Sequence, residues 1–181
     1  MYKFAPANQQ ETIVYGSAKP KYTQKGVARW INFMQEQDIK RICCLLEKER
    51  LNRYQTDLLE NYYKNFGREN ILWKPLQDFQ IPQSTILINS ILPFFISAQK
   101  QKEKVVVHCS GGIGRTGIVL ATWLVSWRGL SNQDAISAVK QNKRNPHEAI
   151  IAALLRCQNP NLAKQKLDAL LNDCRHAFKQ S

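Results

Sequence analysis

Residues 104–117 read Lys104-Val105-Val106-Val107-His108-Cys109-Ser110-Gly111-Gly112-Ile113-Gly114-Arg115-Thr116-Gly117, and an apolar run to Trp127 follows. Three successive β-branched residues make Lys104–His108 a strand, and so uninterrupted an apolar run suits a central parallel strand buried on both faces. A glycine-rich turn then opens a helix that reaches about Trp127. In open α/β sheets ligands bind at the carboxyl edge of the strands, which is where Cys109 falls. The glycines permit tight turns in which successive N–H groups point inward as an anion nest. The helix adds its own free N–H groups and the positive end of its dipole. Arg115 adds a planar fork that takes two phosphate oxygens at once. Such surroundings favour a thiolate at Cys109 and make it a nucleophile.

Working upstream, Ile13–Tyr15 before Gly16 reads as a short strand. Thr23–Gln37 reads as a helix with Val27, Trp30, Ile31 and Met34 on one face, and Ile39–Leu46 as a second strand. Tyr54–Phe66 reads as a helix closed by Gly67, and Asn70–Leu76 as a third strand running into the loop Pro75–Pro82. Ser84 is placed to cap a helix to about Lys100, bent or interrupted at Pro93. Downstream, Ser131-Asn132-Gln133-Asp134 has capping-box spacing, and His147–Cys157 and Asn161–Lys179 read as helices. Strands alternating with helices predict an α/β fold: a mostly parallel central sheet of about four to five strands flanked by helices, with a helical C-terminal half.

With 181 residues, of which 44% are hydrophobic and 22% charged, the chain has material for one packed domain over 1–181 and is not compositionally disordered. No apolar run approaches the roughly 18 residues of a membrane span. Met1–Glu11 lacks the basic flank and apolar stretch of a signal peptide. Five cysteines, an odd number with no CxxC, fit reduced thiols and a cytoplasmic location. Twenty-six Lys and Arg against fourteen Asp and Glu leave a net charge of +12, which favours anionic partners: phosphoproteins, nucleic acids or acidic lipid head groups. The three histidines, His108, His147 and His176, show no ligand spacing with cysteine, so no metal and no other cofactor is expected.

Two phosphate-loop readings of the glycines fail. Gly112, Gly114 and Gly117 satisfy G-x-G-x-x-G between a strand and a helix, but a dinucleotide site needs a second parallel strand ending in an acidic residue about 20 positions on. Here the helix leads instead to Arg128-Gly129-Leu130-Ser131, and Asp134 belongs to the next helix start. In a nucleoside-triphosphate loop the first glycine would stand where Cys109 is, and a lysine where Arg115 is.

The stretch resembles the signature of the cysteine-dependent protein tyrosine phosphatase superfamily: His-Cys, five residues, Arg, then Ser or Thr. It departs mainly at Gly111, where classical members usually carry Ala. The resemblance implies that Cys109 is the nucleophile and that Arg115 binds phosphate together with the N–H groups of Ser110, Gly111, Gly112, Ile113 and Gly114. It further implies that the Thr116 hydroxyl bonds the cysteine sulfur and eases breakdown of a thiophosphate intermediate, while His108 orients the loop and supports the thiolate. The reaction also needs a proton donor for the leaving oxygen. Of six aspartates, Asp78 alone sits in a loop directly after a strand, at the sheet edge where Cys109 emerges. The family's acid loop similarly has Asp after a strand with Pro following, and Asp57 and Glu47 are next in line. Asn145, in Arg144-Asn145-Pro146, lies where relatives place a loop facing the site, a place from which to position water or substrate.

Two further features carry less. Asn52-Arg53-Tyr54 echoes a phosphotyrosine-recognition tripeptide of the large tyrosine phosphatases, but it follows the second strand in a chain too short for that fold and reads as chance. Cys43 and Cys44 sit on a strand that can neighbour Cys109; some relatives protect their nucleophile with such a thiol, whereas buried cysteine is mostly packing.

The resemblance covers the layout from Ile13 to Cys157 and is most specific over 70–120, with a C-terminal helix expected at 158–181. The size is similar to that of the compact dual-specificity branch. What this implies is a monomeric phosphomonoester hydrolase acting on a phosphorylated protein substrate, on phosphotyrosine and also phosphoserine or phosphothreonine, through cysteinyl-phosphate. Ser110–Gly114 contains neither the lysines of phosphoinositide phosphatases nor the Asn that RNA 5′-triphosphatases often place before the Arg. The net charge of +12 keeps nucleic acid and anionic lipid as runners-up. From another class comes a phosphate-binding pseudophosphatase, against which Cys109, Arg115 and Asp78 argue.

Overall fold

The computed structural model describes residues 2–155 and 159–178. Among these, β1 (Ala5–Pro6), β2 (Val14–Ala18), β3 (Ile39–Cys44), β4 (Ile71–Trp73) and β5 (Lys104–Cys109) form one sheet in the order β1-β2-β5-β3-β4. All neighbours are parallel except the edge pair β1 and β2. The expected mostly parallel sheet is therefore present, with one short antiparallel edge strand that the sequence pattern did not announce.

The position of β5 explains its composition. Val105 and Val107 enter one core with α5 (Leu92–Gln101), α6 (Gly114–Ser126), α7 (Asn132–Gln141) and α9 (Pro160–Phe178). Val106 enters the other core with Trp30 and Tyr62, from α1 (Gln24–Glu36) and α3 (Leu58–Phe66). Both faces of the strand are covered, so it carries no polar alternation. On β3 the same holds: Cys43 faces the first core, and Ile42 and Cys44 the second.

Helix ends follow local chemistry. The Thr23 side chain accepts from Gly26 N–H at 3.1 Å and starts α1, whose buried residues include Val27, Trp30, Ile31 and Met34. Ser131 accepts from Asp134 N–H at 3.1 Å and starts α7. The α3 helix begins later than the expected Tyr54, because Asp57 caps it by accepting from Glu60 N–H at 2.9 Å; the one-turn α2 (Lys48–Leu51) precedes it. Gly67, at φ 86°, closes α3 in a conformation open to glycine. The third strand stops at Trp73, short of Leu76, although the chain runs on beside β3 past Pro75, whose missing N–H falls on the open side of this edge strand.

The segment containing Pro93 differs from expectation in detail. Gln83, not Ser84, is the cap residue of α4 (Ser84–Ile86), and its side chain makes no capping bond. A π-helical turn at Leu87–Ile91 then joins α4 to α5, and Pro93 stands in the first turn of α5. A widened turn there accommodates the missing proline N–H, so the helix is interrupted rather than ended. Beyond α7 come α8 (Glu148–Leu155) and α9; Cys157 and Lys179, the ends expected for these two helices, lie outside the described residues. Among the described residues no helix is long and apolar enough to cross a membrane.

One buried carboxylate fastens the start of β2 to the end of α6. Glu11 accepts from Trp123 Nε1 at 2.8 Å, from Arg128 Nε and Nη2 at 3.0 Å, and from Ile13 N–H at 2.9 Å. Burial alone would raise its pKa, but the bonds from Arg128, Trp123 and Ile13 outweigh burial and hold it below the ordinary glutamate range. A depressed folded value means that its stabilisation is complete above the unfolded pKa and is lost as pH falls through the folded one. Glu11→Ala should lower unfolding free energy by about 2–3 kcal/mol near neutrality and reduce the acid-side slope of stability. Urea titrations across pH check this; unchanged stability would show that the carboxylate fastens nothing.

Candidate active site

Because β5 lies between β2 and β3, its C-terminal residue Cys109 emerges at the middle of the sheet edge, only 3% exposed. The next residues fold back against the chain. At Gly112, φ is 68° and a Cβ would lie 2.5 Å from the Ser17 carbonyl oxygen, so only glycine fits. At Gly111, by contrast, a Cβ would meet only Ile113 Cδ1 at 4.0 Å, so the alanine usual in relatives could stand there. Ile113 is the N-cap of α6, and the unbonded N–H groups of that first turn belong to Gly114, Arg115 and Thr116.

The loop's carbonyls are held from outside. Ser110 C=O accepts from Lys19 N–H at 3.3 Å, and Ile113 C=O from Gly117 N–H at 2.9 Å and Asn145 N–H at 3.3 Å. Gly112 C=O accepts from the Arg144 guanidinium, which also donates to the carbonyls of Lys3 and, at 2.7 Å, Gly16. Arg144 is 2% exposed, and burial pulls its pKa down to about 10 against the favourable influence of Cys109. The segment carrying Asn145 thus reaches the site through its backbone and through Arg144. The Asn145 side chain is turned locally, its Oδ1 accepting from His147 N–H at 3.2 Å.

Arg115 lies buried in the first turn of α6. Its Nη1 donates to the Leu76 carbonyl at 2.9 Å and lies 3.6 Å from Glu47 Oε2, while Nη2 lies 3.1 Å from Asp78 Oδ2. Asp78 reaches this point because the chain after β4 keeps pace with β3: Lys74 N–H donates to Cys44 C=O and Leu76 N–H to Leu45 C=O. Asp57, as the cap of α3, is occupied elsewhere. The Nε of Arg115 is buried with no acceptor, and the Thr116 hydroxyl is buried without a bond to the cysteine sulfur or any other partner among the described residues.

His108 sits beneath the loop, fully buried. Burial pushes its pKa down to about 3, with the charges of Lys19 and Arg115 acting in the same direction, so the imidazole is neutral. Tyr62, whose phenol burial holds well above its ordinary range, lies 3.2 Å from Nε2. His108 therefore orients through packing against Trp30 and Tyr62 and through hydrogen bonding, not through charge. Cys43 and Cys44 are free thiols; burial pushes Cys44 up to about 12 and Cys43 well above its ordinary value. Among the described residues no three His, Cys, Asp or Glu side chains are grouped as metal ligands.

Arg144 is the residue that sequence reasoning missed. One arginine in Gln141-Asn142-Lys143-Arg144-Asn145 carries no local mark among 26 cations. The available signal was indirect: glycines at 16 and 117, where a Cβ would lie 3.1 Å from Arg144 Nη2 and 3.2 Å from its Cβ.

Comparison with known proteins comes to the same place. Residues 16–130 match the family described as "Polymorphic toxin system, DSP-PTPase phosphatase". Over 103 residues the chain is 31% identical to "Protein tyrosine phosphatase domain-containing protein 1" of Danio rerio, a match that takes in 55% of this chain and 13% of that protein. Among solved structures, Tk-PTP in its active form superposes with a TM-score of 0.67 at 22% identity, covering 92% of this chain and 93% of that one. PTPMT1 in complex with PI(5)P gives 0.68 at 14% identity, covering 96% and 97%. At these identities the structures speak to the fold.

If the outward carbonyl bonds set the loop, Arg144→Met should lower stability by at least about 2 kcal/mol and weaken binding of the oxyanion vanadate. Arg144→Lys should recover only part of both, because a single ammonium nitrogen cannot stand where Nη1 and Nη2 both do. Calorimetry with vanadate and thermal melts measure this; full-strength vanadate binding by Arg144→Met would discharge Arg144 from the role.

Proposed function

The chain belongs to the DSP-PTPase phosphatase family, and from that premise we propose that it hydrolyses phosphomonoesters on protein substrates, phosphotyrosine first and phosphoserine or phosphothreonine second. The observation that carries the reading is the pairing of Asp78 with Arg115 at 3.1 Å, on the loop that begins at Cys109. It brings a carboxyl group from one strand's exit to the anion-binding arginine of another's.

The Cys109 thiolate attacks phosphorus and the bond to the leaving oxygen breaks. Arg115 and the N–H groups from Ser110 to Arg115 take the equatorial oxygens, where charge is spread in the transition state. Asp78 delivers its proton to the departing oxygen. In the second step Asp78, now a carboxylate, takes a proton from water as that water displaces the cysteine from phosphorus. Thr116 lies in the same buried turn as Arg115, and its hydroxyl is the group at hand to stabilise the departing thiolate. Each of these groups comes from a single chain, so no second copy is needed.

Cys109→Ser should lose turnover by orders of magnitude while retaining phosphate binding, because the cradle is backbone and Arg115. Leaving-group chemistry tests Asp78 separately. Acid assistance matters most for a poor leaving group and little for nitrophenolate, so Asp78→Ala should slow phosphotyrosine hydrolysis by about 10²–10⁴ and nitrophenyl phosphate far less. Equal slowing of both esters by a folded variant would make Asp78 a loop-positioning residue and direct the search for the acid to Glu47.

A further inference from the structure

A groove of about 500 Å³ lies between α7, α9 and the turn that opens α8. Lys140, His147 and Lys164 bring three basic groups to it, and Asp168 is the one carboxylate among its lining residues. The Lys140 ammonium lies 3.1 Å from His147 Nδ1. An ammonium can only donate, so Nδ1 accepts and the imidazole carries its proton on Nε2. Burial lowers the His147 pKa, and the charges of Lys140 and Lys164 lower it further against the opposing pull of Asp168. Among the described residues no carboxylate lies within ion-pair distance of either lysine. Basic groups gathered round one space without a counter-ion suit an anion.

The rest of the lining narrows the choice of anion. Asp168 repels a second negative group and accepts from hydroxyls, while Ser137 both donates and accepts. Ile136 and Leu167 offer apolar contact to a carbon skeleton. The volume falls in the range of small-molecule sites, about 300–1,000 Å³, and is larger than a bare phosphate needs. The two long walls are fastened to each other: Asn132 Nδ2 donates to Asn172 Oδ1 at 3.1 Å, and Arg175 Nη2 donates to Asn132 Oδ1 at 2.7 Å. The third wall belongs to the turn that holds the catalytic loop. His147 N–H donates to Asn145 Oδ1 at 3.2 Å, and Asn145 N–H and the Arg144 guanidinium donate to the loop carbonyls of Ile113 and Gly112.

We infer that Lys140, His147 and Lys164 form an effector site for a small hydroxylated phosphomonoester, a nucleoside monophosphate or a sugar phosphate, whose binding steadies the turn at 144–147 and tightens the cradle's hold on an oxyanion. The phosphate takes the basic groups, and the sugar hydroxyls take Asp168 and Ser137. The site is separate from the cradle and independent of which phosphoprotein is the substrate; only its coupling needs a cradle that binds oxyanions.

Calorimetry on Cys109→Ser, which leaves the probes unconsumed, tests this with tungstate filling the cradle. Adenosine 5′-monophosphate, glucose 6-phosphate and inorganic phosphate are each titrated into tungstate-saturated protein, and tungstate is titrated with and without each probe. At least one of the two esters should bind at one site, more tightly than inorganic phosphate, and the tighter ester identifies the source. Adding Lys140→Gln/Lys164→Gln should weaken that binding at least about tenfold, whereas Lys140→Arg/Lys164→Arg should keep it. The bound ester should raise tungstate affinity about fivefold, and the Gln variant should lose this gain. Absence of ester binding to the saturated protein, or equal affinity in the Gln variant, would overturn the site. Inorganic phosphate binding as tightly as both esters would overturn the hydroxylated ligand. Tungstate affinity unchanged or lowered by the ester would overturn the effector role. Lysine-dependent ester binding to a protein that takes no tungstate would sustain the anion site and defeat the reading of the cradle.

Discussion

The organisation of this molecule depends on turning a loop inside out. An anion cradle requires the N–H groups after Cys109 to face one point, which sends the carbonyls of the same peptides the other way, into the protein. Carbonyls buried without donors would cost more than the cradle could return. The fold supplies the donors from two distant places, Lys19 N–H for Ser110 and the turn before α8, with the Arg144 guanidinium for Gly112 and Asn145 N–H for Ile113; Gly117 N–H, in α6 itself, also serves Ile113. The β2 exit, the loop and the turn before α8 are therefore one bonded unit. The glycines at 16, 112 and 117 are explained by the crowding this creates, since each lies where a Cβ would press on the unit.

This accounts for what could be read from the chain and what could not. Contacts local in sequence were legible: the Thr23 and Ser131 caps, the buried stripe of α1, and the three valines that need two covered faces. The expectation that the Asp78 loop emerges beside Cys109 also followed from local facts, since parallel strands share an exit edge. Arg144 was not legible because its three acceptors lie on Lys3, Gly16 and Gly112, which are 141, 128 and 32 residues away. Nothing in its neighbours distinguishes it from a solvated cation. The misplaced cap at Ser84 has the opposite origin: a favourable local residue stands one position inside the helix that tertiary packing and Pro93 together determine.

Charge shows the same difference between total and arrangement. A surplus of +12 spread over a surface would say little about mechanism. Here two arginines are buried within the same bonded unit, and among the described residues only Arg115 of the two is ion-paired with carboxylates. Arg144 is neutralised by carbonyl dipoles alone, so its positive charge is left to act on the loop, and Cys109 is the group that favours its charged form. The neutral His108 beneath them adds no third charge to that small volume.

On the proposed mechanism, Arg115 ties phosphate binding to the Asp78 loop more closely than proximity requires. One end of its guanidinium donates to the Leu76 carbonyl and another faces Asp78, two residues further along the same loop. The arginine proposed to bind phosphate is thus a structural partner of the segment that carries the proposed acid. A phosphate dianion entering the cradle competes with Asp78 and Glu47 for the charge of Arg115, but the Leu76 bond is to a neutral carbonyl and need not be surrendered. On the proposed mechanism the loop would keep its register on Arg115 through the Leu76 carbonyl while phosphate takes the place of the Asp78 carboxyl in the ion pair. On the same mechanism, phosphate binding and the freeing of the Asp78 carboxyl, which must take up a proton before it can serve as the acid, follow from one change in the partners of a single guanidinium.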